Sequence, residues 1–301
     1  MFPPEVAPVD TPQTTPRPRV NSVINGDCLE VLREMRPEAV PLTVFSPPYD
    51  AIRDYNKEWV FDIAALGKEV FRITKDGGMC AVVIGDGTKD FAKSLTSFRL
   101  AIDWCDNAGF RLFENCIYQR DGNPGAWWNQ RFRVDHEYIL LFLKGKRPRT
   151  FHKEPLMIPS KHAGKIYTGT DRLTNGEMRR IEPKAVNPLK CRGTVWKYAT
   201  SNSEGNRLKM KHPATYPDKL VEDILLCFSD PGDLVLDPMC GSGTTCVVAA
   251  QNERRFVGIE INPDYCAIAR ERLQAETGQM SLLAREKAAT YSVAEPEEIF
   301  L

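Results

Sequence analysis

From Val20 onward the chain alternates short apolar runs with stretches whose apolar residues recur every three or four positions. "VNSVINGD" reads as a strand that stops at Asp27, and "CLEVLREM" as a helix of a turn or two. "LTVFS" reads as a buried strand. "WVFDIAALGKEVFRIT" has helical spacing and is stopped by "KDGG", after which "MCAVVIGD" is a strand. "FRLAIDWCDNAG" is a helix ended by Gly109, while "RLFENCIYQR" and "HEYILLFLKG" are two long strands of an antiparallel pair. Beyond residue 211 the alternation resumes. "DKLVEDILLCFS" is a helix and "DLVLD" a strand, "GTTCVVAAQNE" a helix and "RFVGIE" a strand, and "PDYCAIARERLQAE" a closing helix. Strands alternating with helices predict a doubly wound α/β fold with a mostly parallel sheet, interrupted by the one antiparallel pair.

Three stretches break the pattern. Residues 1–19 hold six prolines and almost no large apolar side chain, which predicts a disordered or extended tail. Residues 145–211 are rich in Pro, Gly and basic residues without a strong period, the signature of an inserted module of loops and short elements. Residues 277–301 are weakly patterned and read as a C-terminal tail. The periodic parts, residues 20–144 and 212–276, then form one domain interrupted by the insert.

Composition narrows the class. With 42% hydrophobic residues among 301, the chain has enough apolar surface for a large core. No stretch approaches the roughly 18 uncharged apolar residues of a membrane span, and no basic segment followed by an apolar run marks a signal peptide. The nine cysteines are scattered with no C-x-x-C pair, which fits reduced thiols in the cytoplasm better than disulfides or zinc. The four histidines, His136, His152, His162 and His212, show no ligand spacing, so no metal is expected. The net charge of zero hides an asymmetry: Lys144 to Lys211 holds 17 basic and 5 acidic residues, the remainder 23 and 35. Such a block fits either a polyanion partner or a solvated surface.

Three short motifs carry the candidate chemistry. In "VFSPPYD" two prolines follow an apolar strand directly, either as a stop signal or as a rigid ledge. In "LVLDPMCGSGTT" a strand ending at Asp237 is followed by Pro238, a loop with Gly241 and Gly243, and a helix opening at Thr244. A glycine loop there lets a ligand approach the backbone beside a helix N-terminus. A dinucleotide fingerprint would need a third glycine where Cys246 stands, and a P-loop would need a lysine that is missing. The acidic residue before the glycines suits a ligand with a cationic end. In "RFVGIEINPDY" the next strand ends in Glu260, the usual position for an acid that grips two ribose hydroxyls.

Together these residues resemble the S-adenosylmethionine-dependent DNA amino-methyltransferases. "DPMCGSGTT" is similar to their cofactor motif, "SPPY" to their catalytic motif, and "NGDCLEVL" and "HPATYPDKLVEDIL" to two further segments, in the order of the beta class. The resemblance implies a Rossmann-like methyltransferase fold with the basic insert as DNA-recognition module, and transfer of a methyl group to an exocyclic amino group of a flipped base in double-stranded DNA. It implies Ser46 and Pro47 as acceptors around the amino group, Pro48 as stiffener and Tyr49 as a stacking platform. For the cofactor it implies Asp237 and Pro238 near the methionine end, Gly241, Gly243 and Thr244 as backbone contacts, Glu260 on the ribose, and Asp27 and Cys28 near the adenine. Lys219 would help to close the pocket. Trp127 and Trp128 fit either a mobile loop by the flipped base or the core. Serine at the first catalytic position favours cytosine N4 over adenine N6. A homodimer and a cognate restriction endonuclease are further expectations. The competing readings are an RNA or protein-glutamine methyltransferase, a DNA-binding protein without catalysis, and a nicotinamide dehydrogenase.

Overall fold

The computed structural model describes residues 20–48, 62–120, 130–132, 134–199 and 215–284. Eight strands form one sheet: β1 (Ser22–Asn25), β2 (Val40–Phe45), β3 (Thr74–Ile84), β4 (Arg111–Arg120), β5 (His136–Leu143), β6 (Val195–Tyr198), β7 (Leu234–Asp237) and β8 (Arg255–Glu260). Their spatial order is β1-β8-β7-β2-β3-β5-β4-β6. Every neighbouring pair is parallel except the two made by β5, so β5 alone runs against the rest.

All six residues of β2 are buried, as expected for a central strand covered on both faces. In β3 the period of two divides the core. Met79, Ala81 and Val83 join a cluster that includes Leu220, Ile224 and Val248. Cys80, Val82 and Ile84 join one that includes Leu32, Leu66, Leu100 and Trp104. Helices α1 (Cys28–Glu34), α2 (Ile63–Ile73) and α3 (Thr96–Asp103) therefore cover one face, and α4 (Asp218–Phe228), α5 (Thr244–Gln251) and α6 (Pro263–Ala284) the other. The doubly wound sheet and its antiparallel β4–β5 pair match the sequence reading.

Local chemistry accounts for the helix boundaries. Asp27 caps α1 by accepting from the Leu29 and Glu30 amides (2.8 and 3.2 Å), and Asp62 caps α2 through the Ala65 amide (2.9 Å). Gly67 is required by packing: a Cβ there would lie 2.5 Å from Nε1 of Trp104, whose indole donates to the Ile63 carbonyl (2.9 Å). A π-helical turn, Trp104–Ala108, extends α3, and Gly109 at φ 100° ends it.

Three boundaries differ from expectation. "KDGG" does not stop α2 ahead of a strand; it lies inside β3, which begins at Thr74. Gly77, at φ 71°, takes up the register shift against β2 and bonds to Lys144 O and Arg149 N (2.9 and 2.8 Å). The closing helix runs on to Ala284, past the expected boundary at 276, because Gly278 is tolerated among good helix formers. The insert is not a free module throughout residues 145–211, because its Val195–Tyr198 segment is the edge strand β6. What stands apart is residues 157–191. Met157–Pro159 pairs with Leu189–Cys191 and Ile166–Arg172 with Met178–Ala185, forming an antiparallel ribbon exposed on both faces. At its base Arg192 pairs with Asp223 (2.6 Å) and lies over the Trp196 and Tyr198 rings, anchoring the ribbon to α4.

Candidate active site

The motifs converge because the topology brings four parallel strands side by side. β1, β8, β7 and β2 are neighbours, and their carboxyl ends carry Asp27, Glu260, Asp237 and Ser46 in that order. This is the edge where open α/β sheets form their ligand crevices.

A hydrogen-bond chain joins the two principal motifs. The Thr245 hydroxyl, in the first turn of α5, donates to the Val44 carbonyl (3.2 Å), two residues before Ser46. The same hydroxyl meets the Tyr216 hydroxyl at 2.6 Å, and Tyr216 donates to Oδ2 of Asp237 at 3.1 Å. Oδ1 of Asp237 accepts from the Met239 amide (3.0 Å). The carboxyl is fully buried, and that burial raises its pKa to about 7 despite the donors around it.

Glu260 ties the glycine loop to β1. Its Oε2 accepts from the Gly241 amide (2.9 Å) and its Oε1 from the Asn262 amide (2.8 Å). Burial raises this carboxyl above the usual range as well. Asn25 donates to the Glu260 and Ile261 carbonyls (both 2.9 Å), and Gly26 to Glu260 O (3.0 Å). That places Asp27 and Cys28 beside the end of β8. Asp27 already serves as the cap of α1, and burial holds the Cys28 thiol neutral, its pKa pushed up to about 12.

Pro238, Gly241, Gly243 and Thr244 are all buried. Gly243 sits at φ 79°, and a Cβ there would come within 2.9 Å of Ala269 Cβ in α6, so only glycine fits. Beneath the loop lies Arg272, with no exposed surface. Its guanidinium donates to Ser242 O (3.0 Å), Thr244 Oγ1 (3.2 Å) and Glu276 (2.9 Å), and stands 3.8 Å from Asp218. Of the catalytic motif, Ser46 and Pro48 are half-buried and Pro47 is buried. Tyr49, Trp127, Trp128 and His212 lie outside the described residues. Lys219 does not turn to the crevice; its ammonium pairs with Glu222 and Asp223 on α4 (2.6 and 2.9 Å).

Sequence reasoning missed Tyr216, Thr245 and Arg272. Tyr216 lay in a recognised segment, but only the structure shows its hydroxyl between Asp237 and Thr245. Arg272 sits in a charged helical stretch that reads as solvent-facing.

A glycine loop, two buried carboxylates at adjacent strand ends and a Ser-Pro-Pro ledge joined to them define a nucleoside-cofactor crevice with an acceptor site beside it, the arrangement of a methyltransferase. The comparisons specify which kind. Residues 40–271 match the N6/N4 methyltransferase model, described as DNA methylase, and the chain belongs to that family. It is 36% identical over 259 residues to the orphan methyltransferase M.BamHII of Bacillus amyloliquefaciens, covering 83% of this chain and 90% of that protein. It is 27% identical over 263 residues to the DNA adenine methyltransferase YhdJ of Escherichia coli (strain K12), covering 84% and 82%. The fold matches that of a DNA modification methylase of Thermus thermophilus, complexed with S-adenosyl-L-methionine, at a TM-score of 0.57 and 24% identity over 85% of this chain and 93% of that one.

The chain is thus a DNA methyltransferase of the N4-cytosine/N6-adenine family, and S-adenosylmethionine is its cofactor. The site fits that cofactor: two carboxyls are buried without a compensating cation among the described residues, one at the strand end where ribose hydroxyls are gripped. No helix among the described residues is long and apolar enough to cross a membrane.

Proposed function

We propose that this enzyme methylates cytosine N4 within a defined site of double-stranded DNA. Ser46 is what favours cytosine over adenine, since relatives with serine at that position more often act on cytosine. Adenine N6 is the second reading, favoured by the 27% identity to YhdJ.

The observation that carries the mechanism is the chain from Val44 O through Thr245 and Tyr216 to Asp237, which holds the ledge of Ser46 and Pro47 beside the glycine loop. An exocyclic amino group is a poor nucleophile because its lone pair is delocalised into the ring. Acceptors around its N–H groups favour a tetrahedral nitrogen. The Ser46 hydroxyl and the Pro47 carbonyl supply them, and Pro48 keeps that carbonyl aimed. Tyr49 stacks on the flipped base. Asp237 holds the cationic methionine end of the cofactor, Glu260 the ribose, and the segment around Asp27 and Cys28 the adenine; the backbone of Gly241, Gly243 and Thr244 lies along it, with Pro238 shaping the entry to the loop. When bound, S-adenosylmethionine supplies an electrophilic methyl group on its sulfonium. Holding the amino nitrogen in line with that methyl is the protein's contribution.

The exposed ribbon at residues 157–191 acts as the recognition module, since a two-stranded ribbon fits the major groove. The enzyme works in the cytoplasm as a homodimer, and a restriction endonuclease of the same specificity is its genetic partner. Plasmid DNA from cells expressing the chain, sequenced molecule by molecule, tests the reading. Methylated cytosine at one recurring site supports it; methylated adenine there moves the assignment to N6, and unmodified plasmid refutes it.

A further inference from the structure

Three cations gather at the carboxyl edge of the sheet, outside the crevice just described. Lys93 comes from the short hairpin after β3, the strand next to β2. Arg120 is the last residue of β4, and Arg131 lies in the connection from β4 to β5. The nearby carboxylates are mostly engaged elsewhere. Asp86 takes the Ser97 amide and hydroxyl on its two oxygens (2.9 and 2.7 Å), so Lys93 reaches only the Asp86 carbonyl (3.2 Å). Asp135 takes His136 (3.3 Å) and Gln119 (3.5 Å). Glu137 pairs with Nη1 of Arg120 (3.1 Å).

What remains is unmet donor capacity. Nε of Arg120 and Nη1 of Arg131 are buried with no hydrogen-bond partner among the described residues. A buried guanidinium N–H without an acceptor is costly, and like charges held together add to that cost. Burial lowers the Lys93 pKa, and the nearby Arg131 and Arg120 charges lower it further, against the opposing pull of Asp86. One anion would relieve both costs at once.

We infer that Lys93, Arg120 and Arg131 form a phosphodiester-binding site that grips the DNA backbone beside the target nucleotide. The inference rests on the DNA-methyltransferase reading, which supplies the only polyanion this edge must meet. Arg120 stands three strands from β2, roughly 14 Å at the usual interstrand spacing, and Lys93 comes from the adjoining strand's hairpin. The site therefore flanks Ser46 without entering the cofactor crevice. Such a contact positions the duplex and carries no base information.

The test is the salt dependence of binding of a labelled 30-base-pair duplex of mixed sequence to the full chain, wild type against Lys93→Gln/Arg131→Gln. Neutralising one phosphate contact lowers the slope of log Kd against log salt concentration by about 0.9. The expected result is that loss of slope, several-fold weaker binding at low salt, unchanged S-adenosylmethionine affinity by calorimetry, and a melting temperature no lower than wild type, since like-charge repulsion has been relieved. An unchanged slope overturns the inference. So does a fall in melting temperature with the slope intact, which would make the cluster structural. Wild-type protein that binds no duplex at all overturns the DNA reading with it; wild-type binding that the variant retains in full sinks only the phosphate site.

Discussion

Replacing Asp237 by asparagine should make the cofactor-free enzyme more stable and the cofactor bind less well. The carboxyl is buried between the Met239 amide and the Tyr216 hydroxyl, and its pKa rises from 3.8 to about 7. The folded state thus binds a proton more tightly than the unfolded chain does. Stability falls as pH rises from about 4 to about 7, while the unfolded chain has released this proton and the folded one has not, and levels off above that. Each pKa unit is worth 1.36 kcal/mol, so the ionised carboxyl costs the cofactor-free fold at most about 4 kcal/mol at pH 8. Water entry and relaxation would bring that nearer to 2 kcal/mol. The asparagine side chain keeps an acceptor for the Met239 amide and carries no charge. At roughly 2–4 °C per kcal/mol, the melting temperature at pH 8 should rise by about 5 °C, with the gain shrinking towards zero at pH 4. Calorimetry should show S-adenosylmethionine affinity lowered at least tenfold, because the cation has lost its counter-charge. An asparagine variant that is less stable than wild type at pH 8, or that binds the cofactor equally well, would refute the reasoning.

Other consequences follow from the same geometry. In the wild type, affinity for the cationic cofactor should fall about tenfold per pH unit below pH 7, as Asp237 takes up its proton; a flat titration from pH 5.5 to 7 would show that Asp237 is not the partner. Tyr216→Phe removes one donor to Asp237 and the partner of Thr245. Its affinity-against-pH profile should move to higher pH, with turnover reduced roughly five- to thirtyfold for a buried hydrogen bond of about 1–2 kcal/mol; an unmoved profile would separate Tyr216 from the site. Ser46→Ala should lower turnover by about a hundredfold, in the range of a lost positioned transition-state contact, while calorimetry shows normal cofactor binding. Gly243→Ala should lose several kcal/mol of stability, or the glycine loop's cofactor affinity, because the new methyl group meets Ala269 in a left-handed backbone; a wild-type melting curve and affinity would contradict that.

The parts of the fold that were legible in advance are those where local pattern and tertiary position agree. β2 and β8 are continuous apolar runs because both faces are covered, and the strand–loop–helix around Gly243 announces itself through its glycines. The illegible parts are set by distant partners. "KDGG" looks like a helix stop, yet a strand absorbs it because Lys144 and Arg149 bond to Gly77. Val195–Tyr198 is too short to declare itself and becomes a strand through its pairing with Ile117–Arg120. Arg272 carries the pattern of a surface residue but is drawn inward by the Ser242 carbonyl and the Thr244 hydroxyl, 30 and 28 positions away. The site residues named from sequence came together because they end adjacent strands. The hydroxyl chain between them had no sequence signal, since an aromatic residue in that segment does not reveal what its hydroxyl touches.

The account's central claim is that the Ser46 ledge presents a base amino group to the methyl donor held at the glycine loop. The most direct measurement is to incubate the purified chain with unmodified duplex DNA and isotopically labelled S-adenosylmethionine, digest the DNA to nucleosides, and identify the labelled product by mass spectrometry, with Ser46→Ala alongside. The account predicts label in N4-methylcytosine with the wild type and about a hundredfold less with the variant. Label on a ring carbon, in RNA or protein added as competitor, or at an undiminished level with Ser46→Ala would contradict it.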